Sequence, residues 1–470
     1  MDWEDFRARA RDAADWAADY HLTLRDRPVR AQTKPGEIIA QLPKSAPVSA
    51  EPIDAILNDL EQTIMPGMTH WQHPRFFAYF PANAAPVSVL AESYVNAIAA
   101  QCMLWQTSPA ATELETRTCD WMRQAVGLPE GYSGVIQDSA STATLCAVLS
   151  MRERALNWAG NRDGLSGQPR LRVYASAEVH TSIDRAIWIS GIGESNLVRI
   201  PSSGPKRSMQ VDALQKAITS DRAAGYLPAG IITCVGGTSA GATDDISAVM
   251  DVAEAEKLYV HVDAAWAGAA MICPEYQELW RGVERADSVV LNPHKWLGAQ
   301  FDCTTHFLKD PETLVKTLAI QPEYLKTHGA DGIINYSEWS VPLGRRFRAL
   351  KLWFLLRAHG LDGLRQMIRN HVSWAQALAD RLAATPDFEI VNRPMLSLFT
   401  FRYAPKGAED LDTLNQDLVN AINADGRIYL TQTRIDGALV IRFQAGAFSC
   451  TEDDVHTAYD VITEIATKMR

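Results

Sequence analysis

Between about residues 85 and 360, short apolar runs alternate with helical stretches, and this alternation limits the possible folds more than any other feature of the chain. Ser133-Gly134-Val135-Ile136 precedes a helical pattern over 141–157, and Leu171-Arg172-Val173-Tyr174-Ala175 precedes another over 180–190. The runs Ile231-Ile232-Thr233-Cys234-Val235, Leu258-Tyr259-Val260-His261-Val262 and Ser288-Val289-Val290-Leu291 follow. Strands separated by helices imply βαβ units, so the pattern predicts an α/β domain built on a mostly parallel sheet. Such sheets bind ligands beyond the carboxyl ends of their strands.

The two ends of the chain read differently. Over 2–20, Trp3, Phe6, Ala10, Ala13, Ala17 and Tyr20 recur at helical spacing behind a capping Asp2. A helix this short, ahead of a segment holding Pro28, Pro35, Pro43 and Pro47, cannot bury its stripe alone. It is expected to pack on another subunit or on the main domain. A second helix is predicted over 51–66, followed by the aromatic segment His70-Trp71-Gln72-His73-Pro74-Arg75-Phe76-Phe77-Ala78-Tyr79-Phe80-Pro81, a plausible pocket wall. After residue 360, helices over 372–384, 410–423 and 452–468 alternate with strands at 388–391, 397–402 and 438–443, which reads as a small α+β domain. The chain thus divides into an N-terminal helical segment (1–84), a large α/β domain (85–360) and a small C-terminal domain (361–470).

Charge removes several function classes. Fifty-six acidic against 45 basic residues give a net charge of −11, with no Lys/Arg stripe, which argues against binding a phosphate backbone or an anionic membrane. No apolar run reaches the roughly 20 residues of a membrane span. The charged N-terminus lacks a signal-peptide core, so a cytoplasmic location is expected. Seven cysteines, an odd number without a CxxC pair, argue against a disulfide framework or a structural zinc site and predict core thiols. No metal site is expected.

The chemistry gathers just after the strands. Asp263 ends one apolar run, and Lys295 follows the next, 32 residues on, so both can reach one crevice. A partly desolvated lysine has a lowered pKa and attacks carbonyls. An aldehyde cofactor with a basic ring nitrogen would use both residues: the lysine binds the aldehyde as an imine, and the aspartate keeps the ring nitrogen protonated. Such a cofactor also carries a phosphate. The hydroxyl-rich start of a helix at Ser139-Ala140-Ser141-Thr142 suits an anion, although plain capping explains it equally well. Asn292 is a second possible phosphate donor. His180 follows a strand of the same sheet, as does the Gly236-Gly237-Thr238-Ser239-Ala240-Gly241 loop, whose glycines permit close backbone approach to a ligand. GxGxxG and GxxxxGK[ST] are absent, so dinucleotide and Walker-type binding have no support.

The chain resembles the pyridoxal-phosphate-dependent aromatic L-amino-acid decarboxylases (group II). HWQHPRFFAYFP, SPAATELE, GVIQDSASTATL, HVDAAWAG, ADSVVLNPHKWLG and VPLGRRFRALKLWF carry the resemblance, in family order and over nearly the whole chain. It implies the type I fold of these enzymes, with a mostly parallel seven-stranded sheet, and a homodimer with active sites at the subunit interface. By the same resemblance Lys295 holds the cofactor, Asp263 pairs with its ring nitrogen and His180 stacks on the ring. Ala140, Ser141 and Asn292 contact the phosphate, while His294, Thr238 and Ala265 complete the cofactor set. Trp71, Tyr79, Phe80, Pro81, Ala82 and Gly237 are expected to line the substrate pocket, with Met103 from the other subunit.

The stretch 323–340 corresponds to a mobile lid whose tyrosine, counted back from Pro342-Leu343-Gly344-Arg345-Arg346, is Tyr336. That tyrosine would protonate the carbanion after carbon dioxide leaves. Related aldehyde synthases have Phe there or an altered stacking residue, and this chain keeps both Tyr336 and His180. Ala82, Gly237 and Met103 stand where the animal enzymes have Thr, Thr and Phe, which bears on which of phenylalanine, tyrosine, tryptophan and dopa is accepted. Three rival readings stay open: an aldehyde synthase, an aminotransferase-like relative in which Arg442 clamps the substrate carboxylate, and an α/β binding protein without activity.

Overall fold

The computed structural model describes residues 1–320 and 333–469. Its contacts group Met1–Pro81 with His371–Arg470 into one compact unit and Ala82–Asn370 into another. Residues 1–81 of the expected N-terminal segment thus share a unit with most of the expected C-terminal domain. The helix Ala349–Ala383 runs past the expected boundary at 360, where Gly360 breaks it at φ 61°, ψ 169°.

The unit Ala82–Asn370 is built on a seven-stranded sheet. In chain order its strands are β1 (Ser133–Gln137), β2 (Leu171–Ser176), β3 (Leu197–Ile200), β4 (Leu227–Cys234), β5 (Tyr259–Asp263), β6 (Ser288–Leu291) and β7 (Thr304–Leu308). Their spatial order is β1-β7-β6-β5-β4-β2-β3. Neighbours from β6 through β3 pair in parallel. β7 runs antiparallel to both β1 and β6. Every residue of β5, β6 and β7 is buried, which is why β5 and β6 read as continuous apolar runs. β7 escapes that reading because it opens Thr304-Thr305-His306. These polar groups find partners inside the sheet: Thr304 Oγ1 donates to Asn292 Oδ1 (2.7 Å), and His306 Nε2 pairs with Ser288 Oγ (2.8 Å). The carboxyl ends of β1, β2, β4, β5 and β6 deliver the loops that hold Ser139–Ser141, His180, Gly236–Thr238, Asp263–Ala265 and Asn292–Lys295.

The other unit holds a four-stranded antiparallel sheet of β8 (Phe388–Met395), β9 (Leu398–Tyr403), β10 (Thr431–Ile435) and β11 (Ala438–Gln444), in the order β8-β9-β11-β10. The helices Leu411–Asp425 and Glu452–Lys468 join Phe77, Phe399, Phe401, Ile441 and Phe443 in one core. This is the α+β arrangement read from the sequence. The N-terminal helix Trp3–Leu22 is capped as expected, Asp2 accepting from the Glu4 and Asp5 N–H groups. It buries none of its residues, and Trp3 remains 81% exposed. Among the described residues no helix is long and apolar enough to cross a membrane. All seven cysteines are buried, free thiols.

Candidate active site

The loops at the carboxyl ends of β1, β2, β4, β5 and β6 close around a cavity of about 180 Å³. Of the residues singled out from the sequence, Ala140, Ser141, His180, Gly237, Thr238, Asp263, Ala265, Asn292, His294 and Lys295 line it. Ser139, Ser182, Cys234, Gly236 and Trp266 line it too and were not singled out as site residues. Ser182 had a local signal, since it stands two residues after His180.

Asp263, His180, His294 and Asn292 are each oriented by a main-chain or buried partner. The Ala265 N–H donates to Asp263 Oδ1 at 3.0 Å, holding the carboxylate at the end of β5. The Ser182 N–H donates to His180 Nδ1 at 3.1 Å. That nitrogen is therefore an acceptor, and the neutral ring carries its proton on Nε2. The Cys303 N–H fixes His294 in the same way, donating to its Nδ1 at 2.9 Å. Asn292 Oδ1 is taken by the Thr304 hydroxyl, which leaves the amide N–H₂ as the free end.

Electrostatics favour uncharged nucleophile and rings. Burial lowers the Lys295 pKa, with Asp263 opposing. Desolvation also lowers that of His180, again against Asp263. His294 is pushed down to about 3, first by burial and then by Lys295. A lysine held below its ordinary range spends more time as the free amine that attacks a carbonyl.

The same cavity is lined by the start of the helix Ala140–Ala155. Ser139 caps the helix Ala140–Ala155 by accepting from the Thr142 N–H at 3.2 Å. The Ala140 and Ser141 N–H groups, in the first turn, have no intrahelical acceptor. With the Asn292 amide and His294 Nε2–H, they make a set of neutral donors beside a helix N-terminus, which suits a phosphate. The glycine loop is shaped mainly by its own packing. The Gly236 and Gly237 N–H groups both donate to Ala242 O (2.9 and 2.8 Å), and a Cβ on Gly237 would lie 2.9 Å from the Ala242 Cβ.

Against this geometry, the sequence profile described as the pyridoxal-dependent decarboxylase conserved domain matches residues 35–404. The chain belongs to that family. A phenylacetaldehyde synthase of Arabidopsis thaliana is 37% identical to this decarboxylase over 99% of this chain and 96% of its own length. Tryptophan decarboxylase 2 of Oryza sativa subsp. japonica is 37% identical over 100% and 96%. The crystal structure of Oryza sativa TDC with PLP and tryptamine matches at TM-score 0.96 and 34% identity, covering 100% of this chain and 99% of that one. The fold is thus the type I fold of pyridoxal-phosphate enzymes, and this decarboxylase is a carboxy-lyase that uses pyridoxal phosphate. Its cavity fits that cofactor, with an amine for the aldehyde, a carboxylate for the ring nitrogen and neutral donors for the phosphate.

Several residues named from the sequence lie elsewhere. Tyr336 does not line the Lys295 cavity. It is fully buried in a short 3₁₀ turn, Tyr336–Trp339, at a second cavity of about 1020 Å³. The physical reason is that its hydroxyl is already satisfied. Thr116 Oγ1 donates to Thr112 O (3.0 Å), so it accepts from the Tyr336 hydroxyl at 3.0 Å, with Gly134 O as a further acceptor at 3.4 Å. The Arg345 guanidinium, paired with Glu115 at 2.7 Å, lies 4.8 Å over the ring. Burial raises the phenol pKa well above its ordinary value. Of the stretch 323–340, residues 323–332 lie outside the described residues.

Met103, expected from the other subunit, lies outside this chain's own Lys295 cavity, its carbonyl accepting from the Ser337 N–H at 3.0 Å. Ala82 is half-buried, next to Asn83. Trp71, Tyr79, Phe80 and Pro81 belong to the other unit, where the Trp71 ring stacks on Phe76 (4.7 Å) and Tyr79 (5.8 Å). Arg442, in that same unit, is buried and donates to Ala78 O (2.8 Å), Thr431 Oγ1 (3.2 Å) and Gln444 Oε1 (3.3 Å). Those bonds give it a structural task in holding the aromatic segment.

Proposed function

We propose that this decarboxylase acts on an aromatic L-amino acid, releasing carbon dioxide and the arylalkylamine. The observation that carries the reading is the meeting of Lys295, Asp263, His180 and the anion-binding helix start in one cavity. The aromatic class rests on similarity to a tryptophan decarboxylase and a phenylacetaldehyde synthase. When bound, pyridoxal phosphate supplies an electron-withdrawing ring for the electron pair left at the α-carbon. Lys295 offers a neutral amine to its aldehyde carbon. Asp263 holds a proton at the ring nitrogen. At about 4 Å and an effective dielectric of about 20, such an ion pair contributes about 4 kcal/mol, or about three pKa units. His180 presents Nε2–H beside the ring and helps place the substrate carboxylate. Ala140, Ser141, Asn292 and His294 hold the phosphate, with Thr238 and Ala265 beside the ring.

Tyr336 would return a proton to the α-carbon, and to do so it must leave the hydrogen bonds that now occupy its hydroxyl. Ala82 and Gly237 contribute to the substrate wall, with Met103 from a second copy. The working form is a cytoplasmic homodimer, and the exposed stripe of Trp3–Leu22 supports that pairing.

Aldehyde synthesis is the second reading, favoured by the similarity to phenylacetaldehyde synthase and by the sequestered Tyr336 hydroxyl. It consumes oxygen and water and yields aldehyde, carbon dioxide, ammonia and peroxide. The test is incubation with L-Phe, L-Tyr, L-Trp and L-dopa in the presence of pyridoxal phosphate, following all products together. Amine equal to carbon dioxide supports decarboxylation, whereas aldehyde with peroxide overturns it. A protein that holds cofactor but turns over none of the four overturns the aromatic assignment.

A further inference from the structure

The turn that carries Lys295 is held by residues 83–88, which lead into and open the helix Pro86–Ile98 within the same unit. The Asn83 N–H donates to His294 O at 2.9 Å, and the Asn83 side-chain Nδ2 donates to Lys295 O at 2.5 Å. The Ala85 N–H donates to Gly298 O at 2.7 Å, and the Gln300 N–H donates to Ser88 Oγ at 2.6 Å. Inside the turn, the Lys295 N–H donates to Asn292 O (2.9 Å) and the His294 N–H to Cys303 O (3.1 Å).

These bonds place Asn83 at an unusual point. The His294 carbonyl belongs to the peptide plane before the Lys295 Cα, and the Lys295 carbonyl belongs to the plane after it. Asn83, 1% exposed, holds both. Once two flanking peptide planes are fixed, the direction of the Cα–Cβ bond is fixed as well. The lysine side chain has four rotatable bonds, so a swing at its root would be magnified at Nζ. A misplacement of about 1 Å at a reacting group can cost about a hundredfold in rate.

We infer that Asn83 is a positioning residue for Lys295, setting the direction in which its amine enters the cofactor cavity. The inference rests on the family's cofactor and not on the substrate class, so its test uses no amino acid. Lys295 Nζ, as the free amine, bonds to the aldehyde carbon of pyridoxal phosphate and one water leaves.

The experiment follows visible absorbance after pyridoxal phosphate is added to cofactor-free protein. Asn83→Ala keeps the main-chain bond and loses the side-chain donor, and should slow capture about tenfold. The pH midpoint of the bound-cofactor absorbance should also move, which a merely structural loss would not do. Asn83→Ser, with a hydroxyl donor, should recover part of the rate. Asn83→Asp has the same shape but sets acceptor oxygens against a carbonyl, and should be at least as slow as Asn83→Ala. A capture rate within twofold of the parent in folded Asn83→Ala, with an unmoved pH midpoint, overturns the inference. If Asn83→Ala does not fold, Asn83→Ser against Asn83→Asp decides: a faster serine variant supports it and equal rates overturn it.

Discussion

Two of the cavities lined by described residues of the unit Ala82–Asn370 differ in a telling way. The one around Lys295 is about 180 Å³, and the one around Tyr336 is about 1020 Å³. In the small cavity Asp263, His180, His294 and Asn292 are each tethered on one side. His180 and His294 each accept a main-chain N–H at Nδ1, and Asn292 accepts a hydroxyl at Oδ1. In the large cavity the Tyr336 hydroxyl has spent its hydrogen on Thr116 or Gly134. Size therefore does not mark the chemistry. Oriented but unspent hydrogen-bonding capacity does.

The same contrast separates the histidines. His261 Nδ1 and His306 Nε2 share Ser288 Oγ, each at 2.8 Å, inside the sheet. A serine hydroxyl has one proton, so it donates to one ring and accepts from the other. Both rings are pushed down to about 3 by burial, as His294 is. A depressed pKa is common to the sealed pair and the cavity ring. What distinguishes His294 is its place on the cavity wall.

The largest expected effects test the small cavity. Lys295→Ala should abolish the visible absorbance of bound cofactor and reduce turnover by roughly 10⁴-fold or more. Asp263→Ala should still bind some cofactor but lose about 10²- to 10³-fold in turnover, in line with about three pKa units at the ring nitrogen. Turnover above a few per cent in that variant would remove Asp263 from its role.

The next effect bears on the large cavity. Tyr336→Phe is expected to shift product from amine towards aldehyde, ammonia and peroxide, read by simultaneous amine and peroxide assays. Thr116→Val takes away the hydroxyl that holds Tyr336 while keeping the tyrosine, and should cost about 1 kcal/mol in stability and leave amine as the product. If Tyr336→Phe also makes amine alone, the tyrosine is not the proton donor and the large cavity is simply a packing site.

The smallest effect concerns pH. His73, His261, His294, His306 and His371 are each pushed down to about 3 by burial. The unfolded value is about 6.5, so below it the unfolded chain takes up protons that the folded chain refuses. Their contribution to stability is fully present above pH 6.5 and shrinks as pH falls, by about 1.4 kcal/mol per ring per pH unit. Asp244, raised to about 6 by burial, works in the opposite sense between about pH 4 and 6. One acid does not offset five rings. The melting temperature should therefore drop by several degrees from pH 7.5 to 5.5, and a flat profile would mean that the rings protonate in place.

Much of the site was legible before the structure. Asp263 and Lys295 stand at the ends of apolar runs that became β5 and the loop after β6. The hydroxyl-rich stretch Ser139–Thr142 became a capped helix start on the cavity wall. β7 was not legible, because a strand reading Thr-Thr-His has no apolar signature until its partners Asn292 and Ser288 are known.

The sequence by itself determined which chemical groups emerge at the carboxyl edge of the sheet, because strand and helix periodicity is local and the order of elements places each loop. Only the tertiary structure decided how those groups are aimed. The proton on His294 depends on the N–H of Cys303, nine residues away. The direction of Lys295 depends on Asn83, 212 positions away. The resting place of Tyr336 depends on Thr116, 220 positions away. Periodicity reports which face of an element is buried, but a hydrogen bond needs two partners within about 3 Å, and no local pattern carries that distance.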